Sequence, residues 1–101
     1  MPVVLLVEDD VRIRQSLARA LAGRGHDVDS VASGMEGLEQ VSGRAPDVVI
    51  LALGLPDLDG LEVLTMIRAV SQVPVIVATA RDADAEIVKV LDAGADDYVV
   101  K

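Results

Sequence analysis

The chain has 101 residues, 51% of them hydrophobic, with a formal net charge of -8, one aromatic residue and no cysteine. That fits one small domain with an aliphatic core and excludes intrinsic disorder. It also excludes disulfides and thiolate metal sites, and a phosphate-backbone grip on nucleic acid by so acidic a segment.

Val3 to Val7 is a short apolar run and predicts a buried strand. Acidic residues arrive already at Glu8, which breaks any signal-peptide pattern. Val11 to Ala22 places Ile13, Leu17, Ala20 and Leu21 on one helical face, with Arg12, Gln15 and Arg19 outside. Gly23 and Gly25 can stop that helix. His26 falls in the turn that follows, and a lone histidine there reads as a surface residue rather than a ligand. Asp27 to Ala32 alternates, as a half-exposed edge strand does. Ser33 can cap a helix carrying Leu38 and Val41, broken by Gly43 and Pro46. Val48 to Leu53 is a second buried strand, and it empties into the loop "LGLPDLDG". Leu61 to Val70 aligns Leu61, Leu64 and Ile67 on a helix. Val75 to Thr79 is a third buried strand. Asp82 to Ala93 predicts a helix with Ile87, Val90 and Leu91 inward and acids in its first turn. Gly94 closes it, and Asp97 to Val100 is a last short strand. No apolar run approaches the roughly 18 residues that span a membrane, so a soluble cytoplasmic domain is expected.

Strands and helices alternate with short connections, which predicts an α/β domain over 1–101, a doubly wound parallel sheet with helices on both faces. In such sheets ligands bind at the carboxyl ends of the strands. The residues there are Glu8, Asp9 and Asp10 after the first strand, Ala52 and the Gly54–Gly60 loop after the third, Thr79 after the fourth and Lys101 after the fifth. Each has an ordinary reading. The aspartates can cap the Val11 helix, Thr79 is a β-branched strand residue, Lys101 is a solvated lysine, and "LPDLDG" is a turn. Together, hard carboxylate oxygens suit a divalent cation, and an ammonium with a hydroxyl suits a phosphoryl group.

The runs "VLLVEDD", "PDVVIL" with "LGLPDLDG", "VIVATAR" and "GADDYVVK" together resemble a response-regulator receiver domain of bacterial two-component signalling. The tail "TARDADAEIVKVLDAGADDYVVK" is most similar to the subclass that controls a winged-helix DNA-binding domain. The resemblance implies a flavodoxin-like strand order 2-1-3-4-5. It implies that Glu8 and Asp9, with the carbonyl of Gly54, hold Mg²⁺. It implies that Thr79 is the switch hydroxyl, that Lys101 pairs with the phosphoryl group, and that Tyr98 is the aromatic that turns inward on activation. A sensor histidine kinase is the implied partner. The family continues past the lysine with a fifth helix and an effector domain. A chain ending at Lys101 is therefore expected to be truncated, with a bare sheet face and a tendency to self-associate.

The family's phosphate-accepting aspartate falls where this sequence has Ala52. An aspartate takes the phosphoryl group from phosphohistidine as a carboxylate nucleophile, and a methyl group has no lone pair to do so. Mg²⁺ also loses one ligand and is expected to bind weakly. Against this, one fewer carboxylate beside Asp9 removes a repulsion of roughly 4 kcal/mol at about 4 Å and an effective dielectric near 20. Two readings of Ala52 follow: an engineered block trapping the unphosphorylated state, or a natural, phosphate-independent receiver acting as a protein-interaction module. A pocket otherwise complete favours the first. A metal-dependent phosphatase would need the same nucleophile and usually a cap domain, so an enzyme is not expected.

Overall fold

The computed structural model describes residues 2–79 and 84–100. The strands are β1 (Val3–Val7), β2 (Asp27–Val31), β3 (Val48–Leu51), β4 (Val75–Thr79) and β5 (Asp97–Val100). The helices are α1 (Val11–Gly23), α2 (Gly34–Arg44), α3 (Gly60–Val70) and α4 (Asp84–Asp92). Every strand pairing is parallel, in the expected order β2-β1-β3-β4-β5. The chain moves outward from β1 to β2, then returns past β1 to β3. Right-handed crossovers in both directions place α1 on one face and α2, α3 and α4 on the other. The switch point lies between β1 and β3, whose carboxyl ends carry Glu8 and Ala52.

Alternation along the strands builds two unequal layers. Leu5, Val7, Val49, Leu51, Val75 and Val77 point into the main core with Val41, Val63, Leu64, Ile67 and Val90. On the opposite face Leu6 pairs across to Ile50, and Ile50 to Ile76. Leu6 is buried, but Ile50 and Ile76 are only half-buried. Val99, beside Ala78 in the register, is 48% exposed. The β4–β5 half of this face is thus open, and a shallow apolar groove runs there between Ile13 and Leu17 of α1 and Ala78 and Val99.

Local chemistry sets the helix ends. Asp10 accepts the amides of Arg12 (2.9 Å) and Ile13 (3.2 Å) at the start of α1. Ser33 accepts the Glu36 amide at the start of α2, and Asp59 the Leu61 amide at the start of α3. At the amino edge of the sheet Arg68 joins three elements. Its Nε donates to the Gly94 carbonyl (2.8 Å), one Nη to Val73 (2.6 Å) and the other to Asp96 Oδ2 (2.8 Å). The same Asp96 oxygen accepts the Val75 amide at 2.8 Å. Gly94 has φ +112°, and a Cβ there would stand 2.9 Å from Arg68 Cγ.

Several expectations need correction. Ala20 is exposed and Ala18 is half-buried, because the inward arc of α1 centres on Leu17 and Leu21 and leaves position 20 beyond its edge. Leu91 is 44% exposed, since it lies about 100° around α4 from the buried Val90. Val63 is buried although the expected face of α3 omitted it. Gly43 does not end α2. The helix runs through it to Arg44 and stops at Ala45, which takes the left-handed conformation (φ 47°) before Pro46. β3 ends at Leu51 rather than Leu53, as the chain bends into its loop. His26 is half-buried, and its Nδ1 is buried with no partner among the described residues. Asp82 and the first-turn acids of the last helix lie outside the residues whose side chains are described.

Two glycines make opposite predictions. Gly60 is packed on the β3 exit, where a Cβ would stand 2.6 Å from Leu53 Cα, and its amide donates to the Leu53 carbonyl at 2.7 Å. Gly43 is helical with open space around its Cα. Gly60→Ala is expected to lose roughly 2–4 kcal/mol, and Gly43→Ala to gain about 0.5–1 kcal/mol. Urea unfolding of both variants checks this.

Candidate functional site

The site starts from a backbone bond. β1 and β3 run side by side, and beyond the last β3 residue the Ala52 amide still donates to the Val7 carbonyl at 2.9 Å. This holds Ala52 beside the β1 exit, where the acids begin. The Glu8 amide donates to Val31 of β2 at 3.1 Å, so Glu8 is tied to the sheet on its other side. Glu8 is 3% exposed, and one of its carboxylate oxygens accepts the Asp10 amide at 3.3 Å. Asp9 is exposed, and among the described residues nothing bonds its carboxylate. Asp10 faces the other way as the cap of α1, which divides the acids between structure and site. Ala52 is buried, so position 52 presents a methyl from within the protein.

Thr79 ends β4, the neighbour of β3, and Val100 ends β5. The Thr79 side chain and Lys101 lie outside the described residues. Tyr98 is half-buried against the main core. Gly54 is exposed and forms an isolated bridge with Asp59.

The two aspartates of the loop after β3 serve helix ends. Asp59 caps α3. Asp57 reaches across to α2, where Oδ1 accepts the Gly34 amide (2.8 Å) and Oδ2 the Met35 amide (3.0 Å). Those bonds, Met35 first and then Gly34, hold the Asp57 carboxyl below its ordinary value. Both carboxylates are thus engaged at helix amino ends. A third contact concerns Arg14 of α1, whose Nη1 donates back to the Glu8 carbonyl (2.9 Å) and the Asp9 carbonyl (3.4 Å). Sequence reasoning missed Asp57 and Arg14. Asp57 caps a helix more than twenty residues away, where no local pattern points to it. Arg14 had only its half-inward place on α1 as a signal.

The donors suit a hard divalent cation in kind: two carboxylates and a loop carbonyl. Among the described residues no group of three or more acidic, histidine or cysteine side chains is placed to hold a metal ion, and the residue beside the pair at the β3 exit is Ala52, which offers no oxygen from its side chain.

Residues 4–101 match the family model described as response regulator receiver domain. The chain is 46% identical over 101 residues to transcriptional regulatory protein AfsQ1 of Streptomyces coelicolor, covering all of this chain and 45% of that protein. It is equally similar to the KDP operon transcriptional regulatory protein KdpE of Escherichia coli, with the same coverage of each. It thus spans less than half the length of these relatives. Among solved structures it superposes on the Francisella response regulator 1452 receiver domain with a TM-score of 0.95 at 30% identity, covering 100% of this chain and 84% of that one.

Because Asp57 titrates below its ordinary value when folded, its contribution to stability is present above about pH 4, the unfolded value. It is lost as the pH falls through the lower folded value. Asp57→Asn is therefore expected to be less stable than the parent at pH 7, and the gap is expected to narrow below about pH 4. Thermal melts of both proteins across pH 3–7 check this.

Proposed function

The chain belongs to the response regulator receiver family, and on that premise we propose that it is the signalling receiver of a DNA-binding response regulator whose acceptor position is blocked by Ala52. The observation that carries this is the buried Ala52, whose amide donates to the Val7 carbonyl beside the Glu8–Asp9 turn at the switch point and whose side chain there is a methyl. The partner is a sensor histidine kinase. An aspartate at position 52 would attack phosphorus through a carboxylate oxygen. The P–N bond of the phosphohistidine would break, and its electron pair would return to the imidazole. Glu8, Asp9 and the Gly54 carbonyl would hold Mg²⁺, which supplies electrophilic stabilisation of the phosphoryl oxygens when bound. Thr79 and Lys101 fill the hydroxyl and ammonium roles, and Tyr98 is the switch aromatic. This is a cytoplasmic switching module rather than an enzyme, and this segment does not itself bind DNA. Among the described residues no helix is long and apolar enough to cross a membrane. The alternative is a natural receiver that works through protein contacts without phosphate.

Intact-mass measurement after acetyl phosphate and Mg²⁺ tests the reading. No adduct is expected on the chain as it stands, and one phosphoryl group on Ala52→Asp. An adduct on the alanine form at Asp57 or Asp59 would move the acceptor elsewhere, and turnover of phosphate esters would favour a phosphatase. Without metal, Ala52→Asp is expected to lower stability by up to about 4 kcal/mol through repulsion with Asp9 and Glu8. Mg²⁺ is expected to recover most of that loss in a thermal melt.

The open half of the α1 face supports a second property. A polypeptide of these 101 residues presents Ile13, Leu17, Ala78 and Val99 along an uncovered groove, and apolar faces of that kind find partners. We propose that two copies meet across it. Sedimentation equilibrium over a concentration series is expected to show reversible dimers, weakened by Val99→Glu. A concentration-independent monomer would refute the proposal.

A further inference from the structure

Arg14 has no part in the site as described so far, yet it touches the backbone that carries both acids. We infer that Arg14 is a positioning residue for the acid pair, fixing the turn from Glu8 to Asp9 so that the Asp9 side chain leaves the backbone in a set direction before any cation arrives. The inference rests on the receiver reading of that pair.

The two acids are held differently. Glu8 is anchored by burial, by its amide on Val31 and by its carboxylate on the Asp10 amide. Asp9 is exposed, and among the described residues no group bonds its carboxylate. The backbone torsions of residues 8 and 9 then set the direction of its Cα–Cβ bond, and so the arc that its rotamers can reach. Arg14 restrains those torsions. Its Nη1 sits between the carbonyls of Glu8 and Asp9, at 2.9 and 3.4 Å, and so fixes the planes of the peptides on either side of Asp9. The root of the arginine is itself fixed, because its amide closes the first turn of α1 on the Asp10 carbonyl at 2.9 Å. The turn is therefore closed from α1 through Asp10 at one end and through Arg14 at the other. A charged donor to a carbonyl makes a stronger bond than a neutral one.

A guanidinium near a divalent cation also repels it, so two effects with opposite signs compete. Arg14 is half-exposed, where solvent and salt screen the repulsion, whereas an unfixed carboxylate must be ordered by the cation each time it binds. Outer-sphere groups that orient ligands typically change metal affinity by about 10–100-fold. Positioning is expected to prevail.

The experiment uses the chain as it stands and its Ala52→Asp form, each with Arg14→Ala, Arg14→Lys or Arg12→Ala. Mg²⁺ affinity is read by calorimetry, and exchange of the Asp10 and Val11 amides is read without metal. Arg14→Ala and Arg14→Lys are expected to weaken Mg²⁺ binding to the Ala52→Asp form about tenfold and to speed exchange at the turn. Lysine keeps the charge but not the planar fork, and Arg12→Ala, which removes a charge two residues away, is expected to leave both readouts within twofold. Arg14→Ala binding Mg²⁺ equally or more tightly, with unchanged exchange, would overturn the inference while leaving the receiver reading intact. An Ala52→Asp parent that binds no Mg²⁺ would overturn both.

Discussion

The hydrogen bond from the Ala52 amide to the Val7 carbonyl is the constraint on which the site depends. It extends the β1–β3 ladder one step beyond β3 and brings the two strand exits together at the switch point of the sheet. The acids of one exit and position 52 at the other are thereby neighbours through backbone geometry, whatever side chain stands at 52. The loop that follows β3 cannot wander from this place. Gly60 packs on the Leu53 backbone, Asp59 starts α3, and Asp57 is bonded to the first amides of α2. The frame is made of backbone bonds and loop anchors, so it does not depend on the side chain at 52.

Most of the fold was legible because its signals are local. Short apolar runs and, for β2, an alternating edge pattern predicted all five strands, and β1, β4 and β5 fell on their expected bounds. Asp10 and Ser33 announced two helix starts through their own side chains. The failures lie where the outcome depends on what packs from outside. Where the covered arc of α1 or α4 is centred depends on the neighbouring elements, and only once that is known does a helical wheel leave Ala20 and Leu91 outside it. Gly43 is a weak helix breaker overruled by the helix around it, and the true stop is the left-handed Ala45, a residue type without such a preference. At the site, the strand-end positions of Glu8, Asp9 and Ala52 could be read from the runs. The bonds of Asp57 and Arg14 could not, because each joins a side chain to a backbone group placed by the tertiary fold.

The two faces of the sheet differ in kind. The core under α2, α3 and α4 is closed, aliphatic and continuous from Leu5 to Val90. Its amino edge is sealed by Arg68, which ties the end of α3 to the start of β4 and to the turn before β5. The α1 face is closed only over β1 and opens progressively through Ile50 and Ile76 toward Val99. The same alternating strands supply both faces, so the difference comes from helix coverage and not from strand composition.

That open strip lies on a chain with a formal net charge of -8. Two copies approaching through it, as proposed, would bring their apolar surfaces together against mutual charge repulsion, and the two forces differ in range. Apolar contact acts only on touching, while repulsion reaches about 30 Å at 0.01 M salt and only about 8 Å at 0.15 M. If two copies meet there as proposed, ionic strength would act as a gate on the contact. Dilute buffer would keep the molecules apart, and physiological salt would let them meet.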